Sequence, residues 1–428
     1  MPFPEDFLHY LWKFRLFDWK DLRTISDDHI EIISTGIHNK NAGPDFEHAR
    51  IRIGETVWVG NVEIHLYSSD WDKHQHSLDK AYDNVILHVV FQYDRALFRS
   101  DGSEIHTMEM KHRIPSGVQA RYEELMQNMN WIPCEKHIGR VDEFHIKNWL
   151  ARVLTERLEE KAQTVNTILD EYKGSWDDAF YVMLARNFGF KINALPFEML
   201  ARSLPQQILA RHKQNDLQIE ALIFGQSGFL NDKQSDNYAK VLQNEYRYLR
   251  KKYSLKPLDK FLWKFLRLRP QNFPTIRLAQ FAALVIKSNH LFSGVIETGE
   301  LSSLRGLFIN LSVNDYWKTH FRFSKETGPI SAQIGEDAVN NILLNTVSLF
   351  LYSYGRYTGN EHYVGKALFL LENLPSEINH ITRRFNETGI NSDRADSSQA
   401  LLQLKKYYCD EKKCLNCGIG IQLLNYLQ

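Results

Sequence analysis

The chain has 428 residues, too many for one core, and with 43% hydrophobic and 24% charged residues it has the composition of an ordinary globular protein. Its 52 basic and 52 acidic residues cancel, so no net field draws it to nucleic acid and any such contact needs a local patch. No basic segment leads into an apolar run, and no stretch of about 18 uninterrupted apolar residues exists. Neither a secretory leader nor a membrane span is therefore expected, and a cytoplasmic location is.

Taken in chain order, FLHYLWKFRLF (7–17) predicts a short helix. HIEIISTG (29–36), FEHARIRIG (46–54), TVWVGNVEIHLY (56–67), NVILHVVFQYD (84–94) and EIHTMEMKHRI (104–114) alternate and are rich in β-branched and aromatic residues, which predicts strands. Breaks at NKNAGP, GET and SDGS separate them, and HQHSLDKAYD (74–83) has room for about two helical turns. Beyond residue 116 the spacing becomes helical. VQARYEELMQNMNW (118–131) and residues 142–172, with Ile146, Trp149, Leu150, Val153, Leu154 and Leu158, lead a series that runs to SSQALLQLKKYY. ILLNTVSLFLYSYG (342–355), interrupted by Asn345, Thr346 and Ser348, predicts a buried helix. The fold class is thus α+β, with an α/β sheet domain over 1–116 and a mostly helical domain over 117–428.

Two carboxylates stand out. Asp45, in GPDF (43–46), opens one alternating run, and Glu63 lies inside the next, in VGNVEIH (59–65). If the two runs pair, the carboxylates converge at one end of the sheet, and two carboxylates with a backbone carbonyl suit a hard divalent cation. Such an ion activates water and stabilises a phosphoryl transition state. The order helix, strand, strand from Pro44-Asp45, strand with Glu63-Ile64-His65, short helix, strand resembles the PD-(D/E)XK nuclease core over residues 5–95. That resemblance implies that Asp45 and Glu63 hold Mg²⁺ or Mn²⁺, that Ile64 offers its carbonyl, and that His65 stands where Lys usually orients the attacking water. His65 shares a face of the strand with Glu63 because side chains alternate with period two.

A second metal chemistry is written in the following segment. Asp70, Asp72, His74, His76, Asp79, Asp83 and His88 fall within nineteen residues. With His65, His74, His76 and Asp79 form a donor set for a zinc hydrolase. The bland alternative is a solvated loop of locally bonded histidines. Cys409, Cys414 and Cys417 are spaced C-x4-C-x2-C, and Cys134 lies far upstream. Four thiolates complete a zinc or an iron–sulfur site. The distribution resembles nucleases of the same superfamily with one early and three late cysteines around a cluster, although there the lone cysteine precedes the core and here Cys134 follows it. Free thiols acting as small apolar residues are the alternative.

Between Arg247 and Arg269 nine basic residues face one acid, Asp259. Arg247, Arg250, Lys251, Lys252, Lys256, Lys260, Lys264, Arg267 and Arg269 suit phosphates, and Tyr248, Tyr253, Phe261, Trp263 and Phe265 suit base stacking. The alternative is a solvated basic helix with its aromatics in the core. Finally, NAGPDF (41–46), WVGNVEIHLYSSDW (58–71), LRPQNFPTIRLAQFA (268–282), SQALLQLKKYYC (398–409) and KCLNCGIG (413–420) resemble one uncharacterised bacterial family, a domain of unknown function. Three functions stay open: a Mg²⁺- or Mn²⁺-dependent nuclease, a nucleic-acid- or protein-binding scaffold with a degenerate site, and a zinc hydrolase.

Overall fold

A computed structural model describes residues 4–39, 42–99, 102–288 and 290–425. Lys40 and Asn41 of the break NKNAGP, and Ser100 and Asp101 of SDGS, lie outside the described residues. Helix α1 (Glu5–Phe14) forms where Phe7, Leu8, Leu11 and Trp12 recur at helical spacing, and it buries all four. Arg15 closes it in the left-handed conformation, φ 52°. The indole of Trp12 donates to the Thr35 carbonyl at 3.0 Å. Each such burial contributes roughly 1.5–3 kcal/mol, which fixes α1 in its unit.

A seven-stranded mixed sheet follows: β1 (Leu22–Arg23), β2 (His29–Ser34), β3 (Ile37–His38), β4 (Phe46–Ile53), β5 (Thr56–Tyr67), β6 (Val85–Gln92) and β7 (Thr107–Glu109). The spatial order is β1-β2-β4-β5-β6-β7, with β3 also on β4. The strands β1, β2, β4 and β5 pair antiparallel, whereas β6 is parallel to β5 and β7 parallel to β6. A parallel step needs a crossover, and residues 68–84 supply it. Strand β6, VILHVVFQ, is buried from Val85 to Val90, as a central parallel strand should be. Gly60 permits its approach to β5, since a Cβ there would meet Ile86 Cγ2 at 2.4 Å and the Asn84 carbonyl at 2.6 Å.

Two elements differ from expectation. The strand over 104–114 is only Thr107–Glu109, because a turn closes at Arg113 and its guanidinium ties down the carbonyls of Asp18, Lys20 and Asp21. The helical segment begins earlier than residue 74, as α2 (Asp70–Lys73), started by the Asp70 carboxylate accepting from Tyr67 N–H at 2.9 Å. Gln75, at φ 61°, then breaks it, and two 3₁₀ turns, His76–Leu78 and Lys80–Tyr82, follow.

Helix α3 (Ser116–Gln127) and α4 (Glu143–Glu171) come next. The described chain divides into two compact units, Met1–Leu150 with Gln403–Gln428, and Ala151–Leu402. The second is mostly helical, as the periodicity predicts. Its core includes Phe180, Phe188, Phe197, Phe224, Phe281, Trp317 and Phe350. Residues 342–355 are a buried helix that widens to a π turn over Leu343–Val347. The helix Asp216–Gln226 lacks an apolar stripe, being buried on every side from Ile219 onward. The unit also holds a small hairpin, His320–Arg322 with Lys325–Glu326. No helix among the described residues is long and apolar enough to cross a membrane.

Candidate metal centre

Phe46 on β4 pairs with Val62 on β5 in antiparallel register. Asp45, one residue earlier, therefore lies beside Glu63, one residue later. A bulge at His48, whose φ is 59°, shifts the register between this point and the rest of the ladder. The two acids clasp one another's backbone. Asp45 N–H donates to Glu63 Oε2 at 3.1 Å, and Ile64 N–H donates to Asp45 Oδ2 at 2.9 Å.

Glu63 and His65 face one side of β5, and His88, opposite Glu63 on β6, faces the same side. His65 Nδ1 lies 2.8 Å from His88 Nε2, and His65 Nε2 lies 3.1 Å from His74 Nδ1. Glu63 Oε1 stands 3.5 Å from His65 Nε2 and 3.2 Å from His76 Nε2. One ring nitrogen from each of His65, His74 and His76 falls within 4.8 Å of the others. His65 is buried, His76 has only 10% of its side chain exposed, and His74 sits at the open rim. The His76 ring stacks on Tyr82 with centroids 3.8 Å apart, and Trp71 packs edge-on against it. His76 Nε2 is buried without a hydrogen-bonding partner among the described residues.

The protonation states follow from burial. The imidazolium of His65 is disfavoured by burial and then by the neighbouring imidazoles, which pushes its pKa down to about 2. Burial lowers His88 to about 3, and it lowers His76 against the pull of Asp45, Asp79 and Glu5. Glu63 is raised, first by burial and then by the charge of Asp45. Burial thus favours the neutral form of His65, His76 and His88, the form of imidazole that binds a metal.

Two residues of the site escaped the sequence reading. His9 on α1 places Nε2 at 3.2 Å from Asp45 Oδ2. Burial opposes its charged form, but the bond and charge of Asp45 prevail and raise its pKa. Glu5, one turn earlier, is raised to about 7 by burial, with Asp45, Glu63 and Asp70 adding to the effect and His9 opposing it. Their i,i+4 spacing in EDFLHY puts both on one helix face, the only signal available before α1 was seated beside β5.

The expected residues Asp45, Glu63, His65, His74 and His76 come together. Asp79 does not join them: it is exposed and accepts from Ala81 N–H at 2.9 Å, capping the second 3₁₀ turn. Cys134, Cys409, Cys414 and Cys417 all belong to the same unit and none is in a disulfide. In the other unit, Arg247, Arg250, Lys251, Lys252, Lys256, Lys260, Lys264, Arg267 and Arg269 are all exposed. Tyr248 and Phe261 are exposed with them, at 63% and 72%. Trp263 is instead buried, its indole donating to the Ser227 carbonyl at 2.8 Å. The ring of Phe265 packs on Phe229 and Phe273, and Tyr253 hydrogen-bonds to His212 at 2.8 Å.

Fold and site together define an α+β protein whose sheet unit carries a buried carboxylate–imidazole cluster. The chain belongs to the family described as "Protein of unknown function (DUF2851)", matched over residues 5–380. No curated protein and no solved structure matches it.

Proposed function

We propose that the sheet unit is a divalent-metal-dependent hydrolase of phosphodiester bonds, with nucleic acid as its substrate. The observation that carries this is the meeting of Asp45 and Glu63 with the imidazoles of His65, His74 and His76 at one end of β5. Two features support the nuclease-like class. The element order α1, β2, β4, β5, α2, β6, with β6 parallel to β5, follows the pattern of the PD-(D/E)XK core. Asp45 and Glu63 occupy the acidic positions of that pattern, with His65 two residues after the Glu.

The donor set fits an ion: Glu63 Oε1 and the nitrogens of His65, His74 and His76 cluster, and His76 Nε2 has no protein hydrogen bond to lose. Three imidazoles favour Zn²⁺ or Mn²⁺ over Mg²⁺. The zinc and carboxylate alternatives therefore share one site. When bound, such an ion lowers the pKa of a water and polarises a phosphoryl oxygen.

The protein's own groups have distinct tasks. For His65 Nε2 to present its lone pair, the ring proton must sit on Nδ1, where His88 Nε2 accepts it at 2.8 Å. His88 is thus a positioning residue. Asp45 locks β5 through Ile64 N–H and holds the His9 ring beside the site, where it favours the positive form that offsets phosphate charge. Glu5, poised near neutrality, is the group best suited to give or take a proton.

The exposed basic stretch of the other unit supports the substrate class, since phosphate contacts dominate nucleic-acid affinity. Four free thiols suit a reducing compartment, so we take the cytoplasm as the location. The test is incubation with plasmid DNA, single-stranded DNA and RNA, each with Mn²⁺ or Zn²⁺. Metal-dependent cleavage of one of them, lost in Glu63→Gln, is expected. Intact substrates in every combination would overturn the proposal.

A further inference from the structure

Cys134 lies far in sequence from its three counterparts, yet all four thiols converge within the first unit. Every one of the six pairs among them is close enough for the ionised sulfurs to repel one another. Cys134 and Cys414 are buried, Cys417 is 7% exposed, and Cys409 is half-buried. Burial, then mutual charge, pushes the thiols of Cys134 and Cys409 far above their ordinary range, and Cys414 up to about 12.

The surroundings of one sulfur are nonetheless built for a thiolate. Cys417 immediately precedes the C-terminal helix Gly418–Asn425, and the backbone N–H groups of Ile419 and Gly420 and the side chain of Trp149 stand near enough to its sulfur to favour the thiolate, against burial, which raises its pKa. Gly420 cannot carry a side chain here, since a Cβ would lie 2.3 Å from the Cys414 carbonyl oxygen. Gly418 is likewise pressed on the Trp149 ring, which a Cβ would meet at 2.7 Å. Donors aimed at a sulfur are the outer shell that tunes thiolate-bound metals.

Spacing selects the kind of centre. A single zinc holds its sulfurs at ~2.3 Å, so they stand about 3.8 Å apart. Among the described residues, the donor atoms that gather within 4.8 Å are those of the three histidines, and these sulfurs are not in such a group. No three of the sulfurs close to the spacing of one ion, and that spread fits a larger centre. We infer that Cys134, Cys409, Cys414 and Cys417 hold an iron–sulfur cluster. It is a site separate from the histidine–carboxylate centre and does not rest on the hydrolase proposal.

Its position gives it a task. Lys412 donates to the Asn128 carbonyl at 3.3 Å, and Arg121 of α3 donates to the Leu424 carbonyl at 3.2 Å. The cluster would clasp the last segment of the chain to the segment after α3, closing a very long loop. Its formation releases the thiol protons to solvent and leaves each sulfur as an iron ligand.

The test is purification of the full chain without oxygen, followed by iron and acid-labile sulfide analysis and visible spectroscopy. Equal iron and sulfide, with a broad visible absorption that bleaches on reduction, is expected. Anaerobic reconstitution with ferric iron, sulfide and a thiol reductant, which supplies the mixed iron oxidation states of a cluster, covers loss during handling. Sulfide must persist in His74→Ala, which separates this centre from iron on the histidines, and vanish in Cys134→Ser. Zinc without iron or sulfide, or a chain that takes up no sulfide on reconstitution, would overturn the inference.

Discussion

Replacing Glu63 with Gln should move stability and metal affinity in opposite directions. The carboxyl is 4% exposed and sits against Asp45, and burial followed by that charge raises its pKa. A carboxyl raised in the folded state contributes stability that is complete at acid pH and lost as pH rises through its folded value. A pKa that differs by one between the folded and unfolded chain amounts to about 1.4 kcal/mol. Gln keeps an oxygen to accept from Asp45 N–H at 3.1 Å and carries no charge. The metal-free variant should therefore be more stable than wild type at pH 8 by at least ~1 kcal/mol, with the gain disappearing near pH 5. Metal affinity should fall at least ~10-fold, the lower limit for losing even an outer-shell partner. Urea denaturation in chelator at both pH values, with calorimetric Mn²⁺ titration, checks both. A variant equally destabilised at pH 8 and pH 5, with unchanged metal binding, would refute the reasoning.

Acid should unfold the metal-free protein early. His65 and His88 are held to about 2 and 3 by burial, below their unfolded value, so their contribution is complete above that value and lost as pH falls below it. Each removes on the order of 1 kcal/mol per pH unit below ~6.5, and urea midpoints that stay flat between pH 7 and pH 5 would contradict this. Gly60→Ala should cost ~1–3 kcal/mol, because the new methyl meets Ile86 and the Asn84 backbone; an unchanged urea midpoint would show that β5 and β6 yield there. Replacing Arg250, Lys251 and Lys252 with Ala should weaken nucleic-acid binding across sequences and flatten its salt dependence by ~0.7–0.9 in slope for each phosphate the variant no longer neutralises. An unchanged slope in fluorescence anisotropy would remove these residues from the interface.

How far the sequence reached depends on the length over which each signal acts. TVWVGNVEIHLY is a strand from Thr56 to Tyr67 as its alternation predicts, because period two is a local property. Asp45 and Glu63 met because their strands are joined by a two-residue turn, Ile53 pairing with Thr56, and the five-residue cluster followed from histidines close in sequence. Glu5 and His9 remained hidden. Their helix reads as an amphipathic surface element, and only its packing on β5 points one face at Asp45. Asp79 misled, since an Asp before a short turn serves equally well as a cap. The helix Asp216–Gln226 went unmarked because a segment buried all round has no stripe to detect. The convergence of Cys134 with the late cysteines is a property of the folded chain alone.

The most direct test of the central claim is calorimetric titration of Mn²⁺ and Zn²⁺ into the full chain, with Asp45→Asn and His74→Ala beside it. His74 sits at the exposed rim, so its truncation leaves the core intact. Wild type is expected to bind, at least ~10-fold more tightly than His74→Ala and more tightly than Asp45→Asn. Wild type that binds neither ion, or that binds them no better than both variants, would contradict the claim.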